Sequence, residues 1–327
     1  MIVFRKTAFL ALLLLISAWP TPPQHSACGN RLLPVFVTEK DGSIVTTLSS
    51  ADYRFRSHSG SMSAVGLKHD ERRRRIVIML DASASMRGVV GPPLWPIAIA
   101  LARHASYAGG ENSDLALVLF SDHVIEHTDF PQGNAALQRK LEEIGNNPAF
   151  PMPSKAGDSR IYDVLKEQVL KLENPTSADS FLLITDGMDE GSTARANQIT
   201  DVLSSSMIRV FTILVDPVPG RRSSSGLDDF VRVVKGSGGK VFGPVDSNNP
   251  AFQKKTTIAG TQEAMEDRLK NFYRGMFEND VLMVEGPLTG QKSEIVELSL
   301  TDSARKPLKK PEIQFPHEVG PCDAVKP

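Results

Sequence analysis

The sequence has few cysteines, no internal repeat and almost no net charge. Only Cys28 and Cys322 are cysteines among its 327 residues, so at most one disulfide can form within the chain. Basic and acidic residues nearly cancel, to a formal net charge of -1, and nothing in this balance calls for nucleic acid or an acidic lipid surface as a partner. With no internal repeat and 41% hydrophobic residues, the chain can bury a sizeable core in one large domain with appendages or in two domains.

Long apolar runs are also missing, except at the N-terminus. "MIVFRKTAFLALLLLISAWP" has two basic residues, an apolar stretch over residues 8–16 and then small residues, which is the pattern of a secretory signal peptide. We expect a secreted or periplasmic mature protein without a membrane span. Cleavage could follow Ala18 or precede Cys28; a lipid anchor on Cys28 is an alternative, although His25 occupies the place where lipoprotein signals usually have Leu.

The two cysteines are expected to pair. Cys28 lies near the start of the mature chain and Cys322 near its end. In an oxidising compartment two thiols favour a disulfide. Such a bridge would hold the two ends of the protein together.

Short runs rich in Val, Ile and Leu alternate with amphipathic helical segments from about residue 74 onward. This alternation predicts a doubly wound α/β fold, in which a mostly parallel sheet is covered on both faces. The segments on either side read as β-structure. The predicted organisation is a signal peptide over 1–27, an N-terminal β segment over 28–69, the α/β domain over 70–247 and a C-terminal helix with strands over 248–327.

The two flanking segments are expected to form one small β unit. A strand, the turn Asp41-Gly42 and a second strand begin the mature chain. Near the other end, "VLMVEGP" and "SEIVELSLT" are expected to pair as a hairpin around "LTGQK". The basic run from Arg72 to Arg75, which enters the α/β domain, is expected to be solvated.

Oxygen-bearing side chains follow two of the predicted central strands. Asp81, Ser83 and Ser85 come after "RIVIML", and Asp186 comes after "FLLIT". Because ligands of doubly wound sheets bind at the carboxyl ends of the strands, these oxygens can form a site for Mg²⁺ or Mn²⁺. An interpretation without a ligand, in which the same residues are helix caps and a turn, fits the spacing equally well.

The combination of "DASASM", "DLALVLFSD" and "LLITDG" resembles the von Willebrand factor type A domain and its metal-ion-dependent adhesion site. The resemblance extends over about residues 74–245 and implies that Asp81, Ser83, Ser85 and Asp186 hold a divalent cation, with Mg²⁺ first and Mn²⁺ or Ca²⁺ as alternatives. The family's threonine corresponds to Ser159, and the neighbouring Asp158 is an alternative ligand. The bound cation would then take a carboxylate from a partner protein, and no enzymatic activity is implied.

The flanks resemble secreted von Willebrand factor type A proteins of Acidobacteria. In those proteins, a β segment of the form V-x-V-x-D-x-x-G-x-x-V-x-x-L-x-x-x-D-F precedes the domain. The matching residues are Val35, Val37, Gly42, Val45, Leu48 and Asp52, with Glu39 or Asp41 for the first Asp of the pattern and Tyr53 for its Phe.

Two other functions are alternatives to adhesion. The first is a structural or assembly module of the same fold that binds no metal. The second is a serine hydrolase, because "GDS" at residues 157–159 resembles an esterase nucleophile block with Ser159 as nucleophile. The late His317 has no Asp three residues before it, which such esterases have, so the hydrolase is the weaker alternative.

Overall fold

The computed structural model describes residues 31–58, 63–87, 94–147, 159–216, 225–246, 259–285 and 294–320. The predicted signal peptide, Cys28 and Cys322 lie outside these ranges, so the cleavage and the disulfide stay predictions. The strands are β1 Arg31–Thr38, β2 Ile44–Val45, β3 Tyr53–Ser57, β4 Ser63–His69, β5 Arg74–Asp81, β6 Ser113–Phe120, β7 Val124–Thr128, β8 Asp179–Thr185, β9 Arg209–Asp216, β10 Val241–Asp246, β11 Asp280–Glu285, β12 Glu294–Leu300, β13 Glu312–Gln314 and β14 Glu318–Val319. The helices are α1 Trp95–Ala108, α2 Asn134–Asn146, α3 Ile161–Lys171, α4 Ala196–Ser206, α5 Ser225–Gly236, α6 Ala259–Phe277 and α7 Asp302–Arg305. None of these helices is long and apolar enough to span a bilayer.

The central sheet has six strands in the order β10-β9-β8-β5-β6-β7. Neighbouring strands from β10 to β6 run parallel, and the edge strand β7 runs antiparallel to β6. Every residue of β8 is buried, as a strand covered on both faces requires. The predicted mixed α/β fold with a largely parallel sheet is confirmed.

Alternate residues of β5 face two separate cores, because successive side chains of a strand point to opposite faces of the sheet. Ile76, Ile78 and Leu80 pack with side chains of α1, α2 and α6. Val77 and Met79 pack with side chains of α3, α4 and α5 on the other face. Helix α6 belongs to the C-terminal segment, so this segment covers part of the central sheet.

The flanking strands form two further sheets. One has the order β13-β1-β11-β4, with β2 paired to β1, and the other has the order β14-β12-β3. The predicted hairpin of "VLMVEGP" with "SEIVELSLT" is therefore wrong. Strand β11 instead lies between β1 and β4, which satisfies the hydrogen bonds on both of its edges.

The basic run at the start of β5 is solvated only in part, because Arg72 and Arg73 are exposed as predicted, whereas Arg75 is half-buried and Arg74 is buried. The side chain of Arg74 is only 2% exposed. Each arginine forms an ion pair with a carboxylate. For the buried Arg74, this pairing avoids the cost of burying an unpaired charge. The pairs are Arg72 with Asp70, Arg73 with Asp114, Arg74 with Asp70, and Arg75 with Asp179.

Arg74 also joins the sheet to the end of helix α6. Its guanidinium donates to a carboxylate oxygen of Asp70 at 2.7 Å and to the carbonyl of Phe277 at 3.1 Å. The buried Arg209 donates to the carbonyls of Gly275 and Met276, each at 3.3 Å. The last carbonyls of a helix lack partners within it and carry partial negative charge, so the two arginines fix α6 against the amino end of the sheet.

Replacing Asp70 with Asn is expected to lower the free energy of unfolding by about 3 kcal/mol at neutral pH, because the change leaves Arg74 buried without its counter-charge. Burial raises the pKa of Asp70, but hydrogen bonds and charges from Arg72 and Arg74 outweigh it and hold the pKa at about 2. Since an unfolded aspartate titrates near pH ~4, the difference between wild type and variant should persist above that pH and shrink as the pH falls towards about 2. Urea unfolding across this pH range measures it.

The matched control is Asp114→Asn. Asp114 pairs with Arg73, whose side chain is 56% exposed, so this substitution should cost less than about 1 kcal/mol. Equal costs for the two variants would contradict the structural role of the buried pair.

Candidate metal centre

Asp81 is the last residue of β5 and is completely buried. Its neighbours β6 and β8 run parallel to β5, so their carboxyl ends meet at the same edge of the sheet. The Oδ1 atom accepts the backbone N–H of Ser83 at 2.9 Å. The Oδ2 atom accepts the hydroxyl of Thr185 at 2.6 Å and that of Ser159 at 3.2 Å. Both carboxylate oxygens are therefore held by protein groups.

The loop after β5 brings Ser83 and Ser85 together. Their Oγ atoms are 3.2 Å apart, with Ser83 buried and Ser85 half-buried. Met86, in the same loop, is fully buried in the core of the domain. Its carbonyl accepts the N–H of Leu94 at 3.0 Å. Ser83 thus contacts Asp81 through its backbone, and its hydroxyl lies beside that of Ser85.

Ser159 reaches the same point from the loop before α3. It is 3% exposed, and its carbonyl accepts the N–H groups of Glu190 at 3.0 Å and Gly191 at 3.1 Å. These bonds tie the Ser159 loop to the loop that follows β8. The alternative ligand Asp158 lies outside the described residues.

Asp186 follows β8 and is half-buried. Its Oδ1 atom accepts the N–H of Met188 at 3.1 Å. Next to it, Gly187 has a φ of +81°, and a Cβ there would lie 2.7 Å from a side-chain carbon of Leu227. The turn that places Asp186 therefore requires glycine.

The electrostatics of the cluster are unfavourable for an ionised Asp81. Burial, and then the charge of Asp186, raise the pKa of Asp81, while hydrogen bonds from Thr185 and Ser83 lower it only in part. The three described hydrogen-bond donors to this carboxylate are all neutral. A buried carboxylate of this kind is stabilised when a cation lies nearby.

The donor set suits a hard cation. The oxygens of Ser83 and Ser85, and those of Ser159 and Asp81, are 3.2 Å apart, close to the spacing of about 2.9 Å between adjacent ligands around an octahedral Mg²⁺. Within the described ranges, no three His, Cys, Asp or Glu side chains converge as a metal site. A cation bound here would consequently rely on hydroxyls as much as on carboxylates.

Thr185 also belongs to this site, although the sequence did not predict it as a site residue. It is the last residue of β8, is fully buried and makes the shortest hydrogen bond to Asp81. Its hydroxyl also accepts the N–H of Gly187 at 3.0 Å. A hydroxyl at the end of the strand next to β5 was the available signal, but a threonine in an apolar run is typical of a strand core.

Replacing Thr185 with Val is expected to lower the free energy of unfolding by about 2 kcal/mol, because a buried hydrogen bond to a charged group is lost without a change of side-chain shape. Thr212→Val is the control, since the Thr212 hydroxyl is buried and has no partner among the described residues. Urea unfolding of both variants compares them. A Thr212 variant as unstable as the Thr185 variant would contradict the importance of the Asp81 bond.

Comparison with known proteins gave structural neighbours but no sequence match. No protein-family model and no curated protein matches the chain. Its fold is similar to "conserved hypothetical protein BatB" from Bacteroides thetaiotaomicron, at 19% identity, 62% of this chain, 99% of that chain and a TM-score of 0.42. It is also similar to "von Willebrand factor type A" from Catenulispora acidiphila, at 12% identity, 79% of this chain, 71% of that chain and a TM-score of 0.43. A third neighbour is proximal thread matrix protein 1 of the mussel byssus "with zinc occupied MIDAS motif", at 16% identity, 67% of this chain, 50% of that chain and a TM-score of 0.45. The neighbours therefore include a protein of the family that the sequence motif resembles.

Proposed function

We propose that the chain is a von Willebrand factor type A protein whose oxygen cluster binds a divalent cation, with Mg²⁺ the preferred ion and Mn²⁺ or Ca²⁺ as alternatives. One observation carries the proposal. Asp81 is buried at the end of a central strand, beside a second carboxylate, and its hydrogen-bond donors are neutral. A cation would supply the missing positive charge.

The contacts of each residue indicate its role in the proposed cation site. The hydroxyls of Ser83, Ser85 and Ser159 are the candidate direct ligands. Because both oxygens of Asp81 already accept hydrogen bonds, Asp81 contributes charge and orients the Ser159 hydroxyl. Asp186 adds the second negative charge from the loop after β8. A bound ion with this shell would keep an exchangeable position.

We further propose that this exchangeable position binds a carboxylate of a partner protein, so that the chain acts in adhesion or protein binding outside the cytoplasm. The location rests on the N-terminal sequence. We infer no hydrolase activity for Ser159, because its hydroxyl donates to the carboxylate of Asp81, whereas a nucleophilic serine needs a base such as histidine.

A metal-free assembly module is the second candidate, and one observation favours it. The hydroxyls of Thr185 and Ser159 and the N–H of Ser83 satisfy both oxygens of Asp81 without any ion. In that case the cluster would only connect the three loops. The two candidates differ in whether the protein binds a divalent cation at all.

Calorimetric titration of the metal-free protein with Mg²⁺, Mn²⁺ and Ca²⁺ separates the candidates. We expect saturable binding of one ion per chain by the wild type. Asp81→Ala removes the charge and the orienting acceptor of the site, and should weaken binding at least about 100-fold, equivalent to about 2.7 kcal/mol.

Asp114→Ala is the control, since it removes one carboxylate from β6 far along the strand from this cluster and should bind the ion as the wild type does. Circular dichroism checks that both variants are folded. A wild type that takes up none of the three ions would support the metal-free module and refute the proposed adhesion site.

A further inference from the structure

A cavity lies between the central sheet, helix α6 and the flanking strands. It has a volume of about 410 Å³ and is lined by the start of β10, by α6, by the turn between β1 and β2, and by residues next to β13. The start of β10 marks the amino end of its strand, whereas Asp81 and Thr185 end theirs. The cavity is thus separate from the candidate metal centre, and its size falls in the range of small-molecule sites.

Positive charge predominates around this cavity. Lys40, Lys240, Arg268 and Lys310 line it, against two carboxylates, Glu39 and Glu312. Lys240 is paired: its Nζ atom lies 3.5 Å from a carboxylate oxygen of Glu312 and donates to the hydroxyl of Thr38 at 3.1 Å. In the described part of the chain, Lys40, Arg268 and Lys310 form no ion pair with a carboxylate. The lining therefore has an excess of two positive charges.

The surroundings hold the side chain of Arg268 and the backbone of Lys40 and Lys310. The guanidinium of Arg268 lies 5.8 Å from the centre of the Phe242 ring, a cation–π contact. Lys310 has a φ of +51°, a left-handed conformation that costs about 1 kcal/mol for a residue other than glycine. The preceding residue, Lys309, accepts the N–H of Lys40 at 3.0 Å, which connects the two chain segments that carry Lys40 and Lys310. The strained backbone of Lys310 thus lies in the lining of the cavity, and strained residues cluster at ligand sites.

We propose that this cavity binds a small organic dianion, with its oxygens on Lys40 and Lys310 and its apolar part against Phe242. A phosphate monoester and a dicarboxylate share this chemistry. Each places two negative charges where the lining has two positive charges in excess, and Arg268 over the ring provides a further donor. Because the cavity joins segments that are far apart in the sequence, the ligand would also bind the flanking strands to the α/β domain.

Phenyl phosphate and phthalate are the probes for the two ligand classes, with inorganic phosphate as the probe for an anion without an apolar part. Titrations are made by calorimetry at low ionic strength in buffer without divalent cations, so that the result is independent of the candidate metal centre. We expect saturable binding of phenyl phosphate or phthalate, weaker binding of inorganic phosphate, and loss of affinity on addition of salt.

The variant Lys40→Gln/Lys310→Gln removes both unpaired lysines and should weaken binding of the better probe at least about tenfold. Both side chains are exposed, and urea unfolding checks that the variant keeps the wild-type midpoint. Lys270→Gln is the matched control: this exposed lysine on α6 does not line the cavity, and its loss should leave the affinity within about twofold.

Two results would overturn the proposal. One is a wild type that binds none of the three probes at millimolar concentration. The other is a folded double variant with the affinity of the wild type. Failure of Mg²⁺ binding at Asp81 would leave this inference intact, because no probe is titrated with a metal present.

Discussion

The buried carboxylate of Asp81 is the group on which the arrangement of the candidate centre depends. It accepts hydrogen bonds from the backbone N–H of Ser83 in its own loop, from the hydroxyl of Thr185 on the neighbouring strand and from the hydroxyl of Ser159 in a distant loop. Parallel strands make this convergence possible, since β5, β6 and β8 all end at one edge of the sheet. The same carboxylate is costly to bury, and that cost favours a cation in its vicinity.

Strand β5 carries a buried charge at each end, and the two are compensated differently. At the amino end, Arg74 has the carboxylate of Asp70 and the carbonyl of Phe277 as partners. At the carboxyl end, Asp81 has neutral donors and a second carboxylate nearby. The first arrangement is complete within the protein and explains how α6 is fixed to the sheet. In the second, the described hydrogen-bond donors to Asp81 are neutral and the nearby Asp186 raises its pKa, which is why the proposed cation site lies at that end.

Structural features that depend on the local sequence pattern could be predicted from the sequence. Features that depend on partners far away in the sequence could not. Apolar runs identified the central strands, and the spacing of Asp81, Ser83 and Ser85 predicted a cluster that the structure brings together with Ser159. Thr185 was missed because a strand threonine carries no local sign of its partner. Arg74 was assigned to solvent because a basic run does not reveal that Asp70 and the end of α6 enclose it. Strand β11 was paired wrongly because alternation identifies a strand but not its neighbours.

The most direct test of the account is to locate a cation by anomalous diffraction from crystals of the protein soaked in Mn²⁺. The account predicts one strong anomalous peak at coordination distance from the hydroxyl oxygens of Ser83 and Ser85, and none there in crystals of Asp81→Ala. Mn²⁺-soaked wild-type crystals without a peak at this position, with the three loops ordered as described, would contradict it.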